Sequence, residues 1–309
     1  MTNQMKLIFA GSGAFGLPTL RALQSQIVLV VSQPDRPAGR GRHLVPTPIS
    51  QFALENNLPL LRTDHFNDEK LPEADAMVVI AFGQKISQAQ ANHPRLGSVN
   101  LHGSLLPKFR GAAPINWTIL SGESFTGNSV IRLADRMDAG AILGQSRLEI
   151  TPTETAGELH DRLSADGPNT IAKVLAGLGT IPEIPQDESQ ATRASKLSRR
   201  DAMLDWKTGA ESISRRIRAF WPWPACHMRL LDATGNEVRR IALARARPAV
   251  SEGTRWHPGE IEGSGFINAG TDAVEILELQ PEGGRVMSLA DYRRGHPWMP
   301  GMRLESPEK

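Results

Sequence analysis

The first 150 residues carry apolar, β-branched runs that do not alternate with polar residues. Strands are predicted over Lys6–Ala10, Gln26–Ser32 and Ala76–Ala81, with a short fourth over Ser98–Leu101. A strand that is apolar at every position is buried on both faces. The sheet that buries both faces is the parallel one, covered by helices on each side. Leu17–Leu23 has helical spacing between the first two runs. The N-terminal half therefore reads as an α/β, doubly wound, Rossmann-like domain with a mostly parallel sheet. Thr155–Ala176 adds helical spacing through Leu159, Leu163, Ile171, Val174 and Leu175, and Gly167-Pro168 predicts a break into two helices.

The texture changes after Gly177. Residues 181–190 hold two prolines and little apolar content, which marks the end of a first domain. Ile213, Ile217 and Phe220 then form one stripe of a helix over Ala210–Phe220, with Arg215, Arg216 and Arg218 outside it. Beyond Pro224 come short strands at short spacing: Ala225–Leu231, Glu237–Ala246, Gly259–Ile261, Gly265–Ala269, Ala273–Leu279 and Arg285–Leu289. These predict a C-terminal all-β barrel of OB-like size. The boundaries expected are 1-188 for the first domain, 189-206 for a linker and 207-309 for the barrel.

No run approaches 18 apolar residues, so no membrane-spanning helix is expected. Cys226 is the only cysteine, which leaves no intramolecular disulfide and no cysteine-rich zinc site. An apolar run beginning at Leu7 leaves no room for a targeting segment before it, and a soluble, reducing setting is expected. The net charge of +2 hides an asymmetry: Arg193–Arg247 holds 13 basic and 5 acidic residues, a net of +8. A polyanion such as nucleic acid is one explanation, and a solvated helix with barrel strands wet on their Arg side is the other.

Four features carry chemistry. Gly11-Ser12-Gly13-Ala14-Phe15-Gly16 matches the dinucleotide fingerprint, with Asp35 at a fitting distance; a tight turn under a closely packed helix explains the same glycines. Asn100 and His102 lie two apart, so a strand presents both on one face, near the carboxyl edge where open α/β sheets bind ligands. An amide and an imidazole there can stabilise an oxyanion, or simply cap a loop. Asp138, before a strand over Ala141–Leu143, can fold back to orient His102; Asp135 competes for that role, and ordinary turn chemistry explains both. Last, the polar loop from Gln33 to His43 carries Arg36, Arg40 and Arg42 among prolines and glycines, which suits phosphate contacts or a flexible surface loop. There is no P-loop, no G-x-S-x-G elbow and no H-E-x-x-H helix.

The run Asn100-Leu101-His102-Gly103-Ser104-Leu105-Leu106-Pro107 resembles the folate-dependent formyltransferases. So do Arg110-Gly111-Ala112-Ala113-Pro114 after it and Asp138-Ala139-Gly140 later. Outside that core, three segments resemble the branch of the family that acts on methionyl-tRNA. They are Gln33–Gly41, Ala194–Asp205 with Trp206, and Arg218-Ala219-Phe220-Trp221-Pro222-Trp223-Pro224. The resemblance covers essentially the whole chain. One departure is Asp135-Arg136-Met137-Asp138, where many members have a Gly-Leu pair before the aspartate.

The resemblance implies transfer of a formyl group from 10-formyltetrahydrofolate to the α-amine of initiator methionyl-tRNA. It implies catalysis by Asn100, His102 and Asp138, with no metal and no nicotinamide at the glycine turn. The folate would lie against Ser104, Leu105, Leu106, Pro107, Phe82 and Gly83. The tRNA would be held by Arg36, Arg40, Arg42, Arg215 and Arg216. A cytoplasmic monomer without membrane association is expected. The alternatives are a sugar-nucleotide amine formyltransferase and, from another class, a dinucleotide-binding oxidoreductase.

Overall fold

The computed structural model describes residues 4–38, 43–253 and 256–307. It divides into two compact units. One comprises Met1–Pro114, Phe125–Leu148 and His160–Ala194; the other comprises Ile115–Ser124, Glu149–Leu159 and Ser195–Lys309.

The first unit is built on a seven-stranded sheet. Its strands are β1 (Leu7–Gly11), β2 (Ile27–Ser32), β3 (Leu60–Arg62), β4 (Ala76–Ile80), β5 (Ser98–His102), β6 (Ser129–Arg132) and β7 (Ile142–Gln145). Their spatial order is β7-β6-β5-β4-β1-β2-β3. The five from β5 to β3 run parallel, and β6 and β7 join antiparallel at one edge. Every residue of β1 and of β4 is buried, which is why their sequences do not alternate. Helix α1 (Leu17–Leu23) and helix α2 (Pro48–Glu55) flank β2 in the chain. Between β1 and β4 the connections leave in opposite directions, creating the crevice where open α/β sheets bind ligands. The carboxyl ends of β1, β4 and β5 all open onto that edge of the sheet.

Helix α3 (Ala156–Gly177) is continuous through Pro168, contrary to the two helices expected there. Leu163 before the proline and Ile171 and Val174 after it are all buried. Burial of each such side chain contributes roughly 1.5–3 kcal/mol, which outweighs one missing backbone hydrogen bond. Gly167 sits at a close approach, because a Cβ there would lie 2.9 Å from Leu101 and from Thr19.

The second unit is an antiparallel sheet of β8 (Cys226–Leu231), β9 (Glu237–Ala249), β10 (Ile267–Asn268), β11 (Ala273–Pro281), β12 (Met287–Ser288) and β13 (Arg303–Glu305). The order is β10-β11-β9-β8-β13, with β12 also pairing with β11. Residues 259–261 close the ring. Ile261 N–H donates to Met302 O at 2.7 Å, Leu304 N–H donates to Gly259 O at 2.8 Å, and Ile261 also bridges to Ile267 of β10. Closure pairs the backbone groups that an open edge would leave exposed. Helix α4 (Ala210–Phe220) packs on β9 with Ile213, Ile217 and Phe220 buried, as its spacing predicts. Arg218 departs from that pattern. It is buried and donates from Nη1 to Glu154 O at 2.9 Å.

Phe9 fixes the packing of the site edge, because its ring fills the space that Gly11 and Gly16 leave open. Phe9→Ala should lower stability by about 3–5 kcal/mol through the cavity it creates. A denaturant titration checks this. A midpoint close to wild type would show that the glycine turn does not depend on that ring.

Candidate active site

Asn100 and His102 stand on one face of β5, between β4 and β6. His102 is buried. Its Nε2 donates to the Phe109 carbonyl at 2.9 Å, since a carbonyl can only accept. Its Nδ1 lies 3.7 Å from Asp138 Oδ2. Asn100 is half-buried, and among the described residues its side chain makes no hydrogen bond. Its amide is therefore an available donor at the carboxyl edge of the sheet.

The approach of Asp138 to His102 depends on three contacts. The aspartate adopts a left-handed backbone, φ 54°. Its Oδ2 accepts the Gly111 N–H at 2.8 Å. Its carbonyl accepts one N–H of Gln186 at 2.8 Å, and Gly140 O accepts from the same amide nitrogen at 2.7 Å. Gly111 reaches this place because the short strand Arg110–Gly111 pairs in parallel with Arg193–Ala194. A Cβ on Gly111 would lie 2.4 Å from Ala194 O, and its φ is +128°. Asp135 is exposed instead. The contact with His102 thus belongs to Asp138.

Arg136, where the sequence departs from the family pattern, is exposed and pairs with Glu188 at 2.8 Å. Arg110 binds the same carboxylate at 2.9 Å. Hydrogen bonds from Arg110 and then Arg136 hold the Glu188 carboxyl well below its usual range, at about 2. Gly111, Gln186, Arg110 and the Phe109 carbonyl are the parts that sequence reasoning missed. Arg110 and Gly111 stood in the family-like run, but Gln186 lies in a proline-bearing stretch with no local signal.

The loop from Gly103 to Phe109 is tied down internally. Ser104 Oγ donates to Lys108 O at 2.8 Å, and Ser129 Oγ donates to Ser104 O at 2.6 Å while accepting the Leu106 N–H at 3.0 Å. Ser104 and Leu106 are buried, whereas Leu105 and Pro107 are half-buried. Phe82 is buried edge-on against Phe66 with ring centroids 5.2 Å apart, and Gly83 is exposed. Of the six residues expected to meet a folate, three therefore offer accessible surface: Leu105, Pro107 and, with its backbone, Gly83.

The glycine turn after β1 is engaged with its neighbour. Ser12 and Gly13 N–H groups both donate to Ala81 O at 3.2 Å. A Cβ at Gly11 would lie 2.8 Å from Ile80 O, and one at Gly13 would lie 3.2 Å from Ala81 Cβ. Asp35 is held by Arg62 at 2.9 and 2.8 Å. Two amides of the turn and the Asp35 carboxylate are thus engaged within the protein. Cys226 is buried, and burial pushes its thiol up to about 12, so it is not poised as a nucleophile.

The expected polyanion contacts are distributed unevenly. The loop bearing Arg36 is in part a hairpin, Arg36–Ala38 against His43–Val45, and Arg36 pairs with Asp64 at 2.8 Å on the surface. Arg40 and Arg42 lie outside the described residues. In the second unit Arg215 pairs with Glu211 at 2.8 Å. Arg216 donates to Asp201 O and lies over the Phe220 ring, 5.8 Å from its centroid. Both are half-buried.

Comparison with known proteins bears on this geometry. The formyl transferase family model matches residues 8–175, and the formyl transferase C-terminal domain model matches residues 196–297. A methionyl-tRNA formyltransferase of Methylobacillus flagellatus is 38% identical over 98% of this chain and all of its own length. One from Methylococcus capsulatus is 40% identical over 97% of this chain and 99% of its own. Among solved structures, an N-formyltransferase of Helicobacter canadensis, in complex with folinic acid and dTDP-3-aminofucose, superposes with a TM-score of 0.63 at 15% identity. The match covers 88% of this chain and 98% of that one. HypX from Aquifex aeolicus with tetrahydrofolic acid gives 0.58 at 14% identity, over 94% of this chain and 47% of that one. The likeness to these structures is one of fold. With both family segments present over almost its whole length, the chain belongs to the formyl transferase family.

Proposed function

We propose that this chain transfers the formyl group of 10-formyltetrahydrofolate to the α-amine of initiator methionyl-tRNA. One observation carries the reading: relatives named methionyl-tRNA formyltransferase match it end to end at 38–40% identity. Sugar formyltransferases share the fold at much lower identity. In this reading residues 1-188 perform the chemistry, 189-206 link, and 207-309 hold tRNA. The enzyme acts as a cytoplasmic monomer, and none of its described helices is long and apolar enough to cross a membrane.

The half-buried amide of Asn100, which has no hydrogen bond among the described residues, fits a carbonyl-bearing ligand at the sheet edge. The folate supplies an activated formyl group; the protein supplies charge stabilisation and proton transfer. Asn100 donates to the formyl oxygen as negative charge develops on it. His102, its Nε2 committed to Phe109 O, acts through its Nδ1 edge, where a proton is shared between the site and Asp138. Asp138 orients that proton and accepts, through His102 or water, the proton that the attacking amine loses as its nitrogen bonds to the formyl carbon. The same proton then passes to N10 as the C–N10 bond breaks and tetrahydrofolate leaves. One well-aimed donor of this kind contributes about 2.7–4 kcal/mol. Leu105, Pro107 and Gly83 line the folate's approach, with Ser104, Leu106 and Phe82 behind them. Arg36, Arg40, Arg42, Arg215 and Arg216 bind phosphates of the tRNA.

Formyl transfer measured with methionyl-tRNA and with a nucleotide-linked amino sugar as acceptors tests the assignment. Preference for the sugar would overturn it. Asn100→Ala is the cleaner catalytic variant, because nothing in the fold hangs on its amide. It should lower kcat by about 10²–10³ while leaving KM for tRNA nearly unchanged. His102→Ala should do the same, with some loss of stability from the freed Phe109 carbonyl. Wild-type turnover in either would sink the mechanism.

Asp138→Asn should be severely impaired and Asp135→Asn nearly normal, as steady-state rates will show. The reverse ranking would reassign the carboxylate. For tRNA, the logarithm of affinity should fall steadily with the logarithm of salt concentration, and Arg215→Ala should weaken binding and flatten that slope. Binding isotherms at several salt concentrations check this, and an unchanged slope would remove Arg215 from the interface.

A further inference from the structure

We propose that Gln186 and Arg110 form a positioning clamp that sets the Asp138 carboxylate against His102. The proposal rests on the functional reading above, since it assigns Gln186 a role only through Asp138.

Asp138 is one of the few non-glycine residues with positive φ among the described residues. Such a conformation costs on the order of 1–3 kcal/mol and persists only where the surroundings over-determine it. The Gln186 amide provides that constraint. Its NH₂ group bridges two carbonyls of the turn, Asp138 O at 2.8 Å and Gly140 O at 2.7 Å. Its Oε1 accepts from Arg110 Nε at 2.9 Å and Nη2 at 2.8 Å. The orientation is therefore unique: a flipped amide would set oxygen against two carbonyls and nitrogen against a guanidinium.

Arg110 is itself buried, and a buried charge needs a partner. Glu188 supplies one, at 3.1 and 2.9 Å. The neighbouring residue, Gly111, donates its N–H to Asp138 Oδ2. One short segment thus fixes both ends of the aspartate: its carboxylate directly, and its backbone through Gln186. A loosened turn would move the carboxylate relative to Nδ1, and a displacement of about 1 Å in a reacting group can cost about a hundredfold in rate.

The test uses the full-length chain with methionyl-tRNA and 10-formyltetrahydrofolate. Gln186→Glu keeps an acceptor for Arg110 but cannot donate to the two carbonyls. It should lower kcat by at least about tenfold, with both KM values within about twofold of wild type. Gln186→Ala is the second variant, and near-UV circular dichroism with a thermal melt establishes that each is folded. The deciding measurement is the double-mutant cycle with Asp138→Asn. If Gln186 acts through the aspartate, Gln186→Glu should change the residual rate of Asp138→Asn by less than about twofold.

Multiplicative losses in the cycle, unaltered kcat in both Gln186 variants, or a rise in KM alone would overturn the clamp. Failure of both variants to fold would make the contacts merely structural and overturn it too. An impaired Asp138→Asn beside an unimpaired Gln186→Glu defeats only this proposal. A wild-type rate in Asp138→Asn defeats the functional reading, and the clamp with it.

Discussion

Strand β1 is dry on both faces, and the position of the site follows from that. A strand buried on every side must lie inside the sheet with a partner on each flank, here β2 and β4. Chain order reverses on either side of it, so the connections diverge and the ends of β1, β4 and β5 share one open edge. Asn100 and His102 ride the last residues of β5 onto that edge. The glycines after β1 serve the same packing: they let the turn lie against Ala81 and the Phe9 ring. A motif whose spacing also suits dinucleotides makes, in this chain, close contact between two strand ends.

Charge requires the same attention to neighbours. The excess of +8 over Arg193–Arg247 is a count along the chain, and a field is set by what stands nearby. Arg245 pairs with Glu158 at 2.5 Å and Glu278 at 2.8 Å, and Arg247 with Glu275 at 2.6 Å. All three acids lie outside the basic segment. Arg218 is buried within its own unit, and Arg229 and Arg240 share Glu237. Much of the positive charge of α4 and of the barrel strands is thereby compensated. The exposed cations Arg193, Lys196, Arg199, Arg200 and Lys207 precede the helix. The two explanations offered by the sequence thus apply to different stretches: the barrel arginines are paired with acids, while the segment before α4 keeps its charge open to solvent, where a polyanion could meet it.

Legibility in the sequence followed the range of the interaction. The buried strands, the apolar stripe of α4 and the shared face of Asn100 and His102 are local patterns of period two or three to four, and they were readable. The short β13 was not, because its pairing with β8 and with residues 259–261 draws on distant partners. The continuity of α3 through Pro168 depends on tertiary burial, which no local propensity reports. Choosing Asp138 over Asp135 required the family resemblance, since both fit turn chemistry. Gln186, 48 residues from the aspartate it holds, left no mark on its own surroundings.

Backbone strain gathers where the chemistry is proposed. Ala81, Phe109 and Asp138 all have positive φ, at 47°, 64° and 54°. Each offers a polar group to the site or to its frame. Ala81 O receives the two amides of the glycine turn, Phe109 O receives His102 Nε2, and Asp138 Oδ2 receives the Gly111 N–H. In an ordinary turn a glycine would hold such a conformation without strain. Glycine would serve at Ala81 and Phe109 as far as the carbonyl goes, but it would remove the Phe109 side chain, which is buried, and at position 138 it would remove the carboxylate itself. The aspartate must therefore keep both a side chain and a backbone that disfavours one. That conflict is what demands hydrogen bonds to its carboxylate and its carbonyl together, and it explains why so many contacts converge on a single exposed-edge turn.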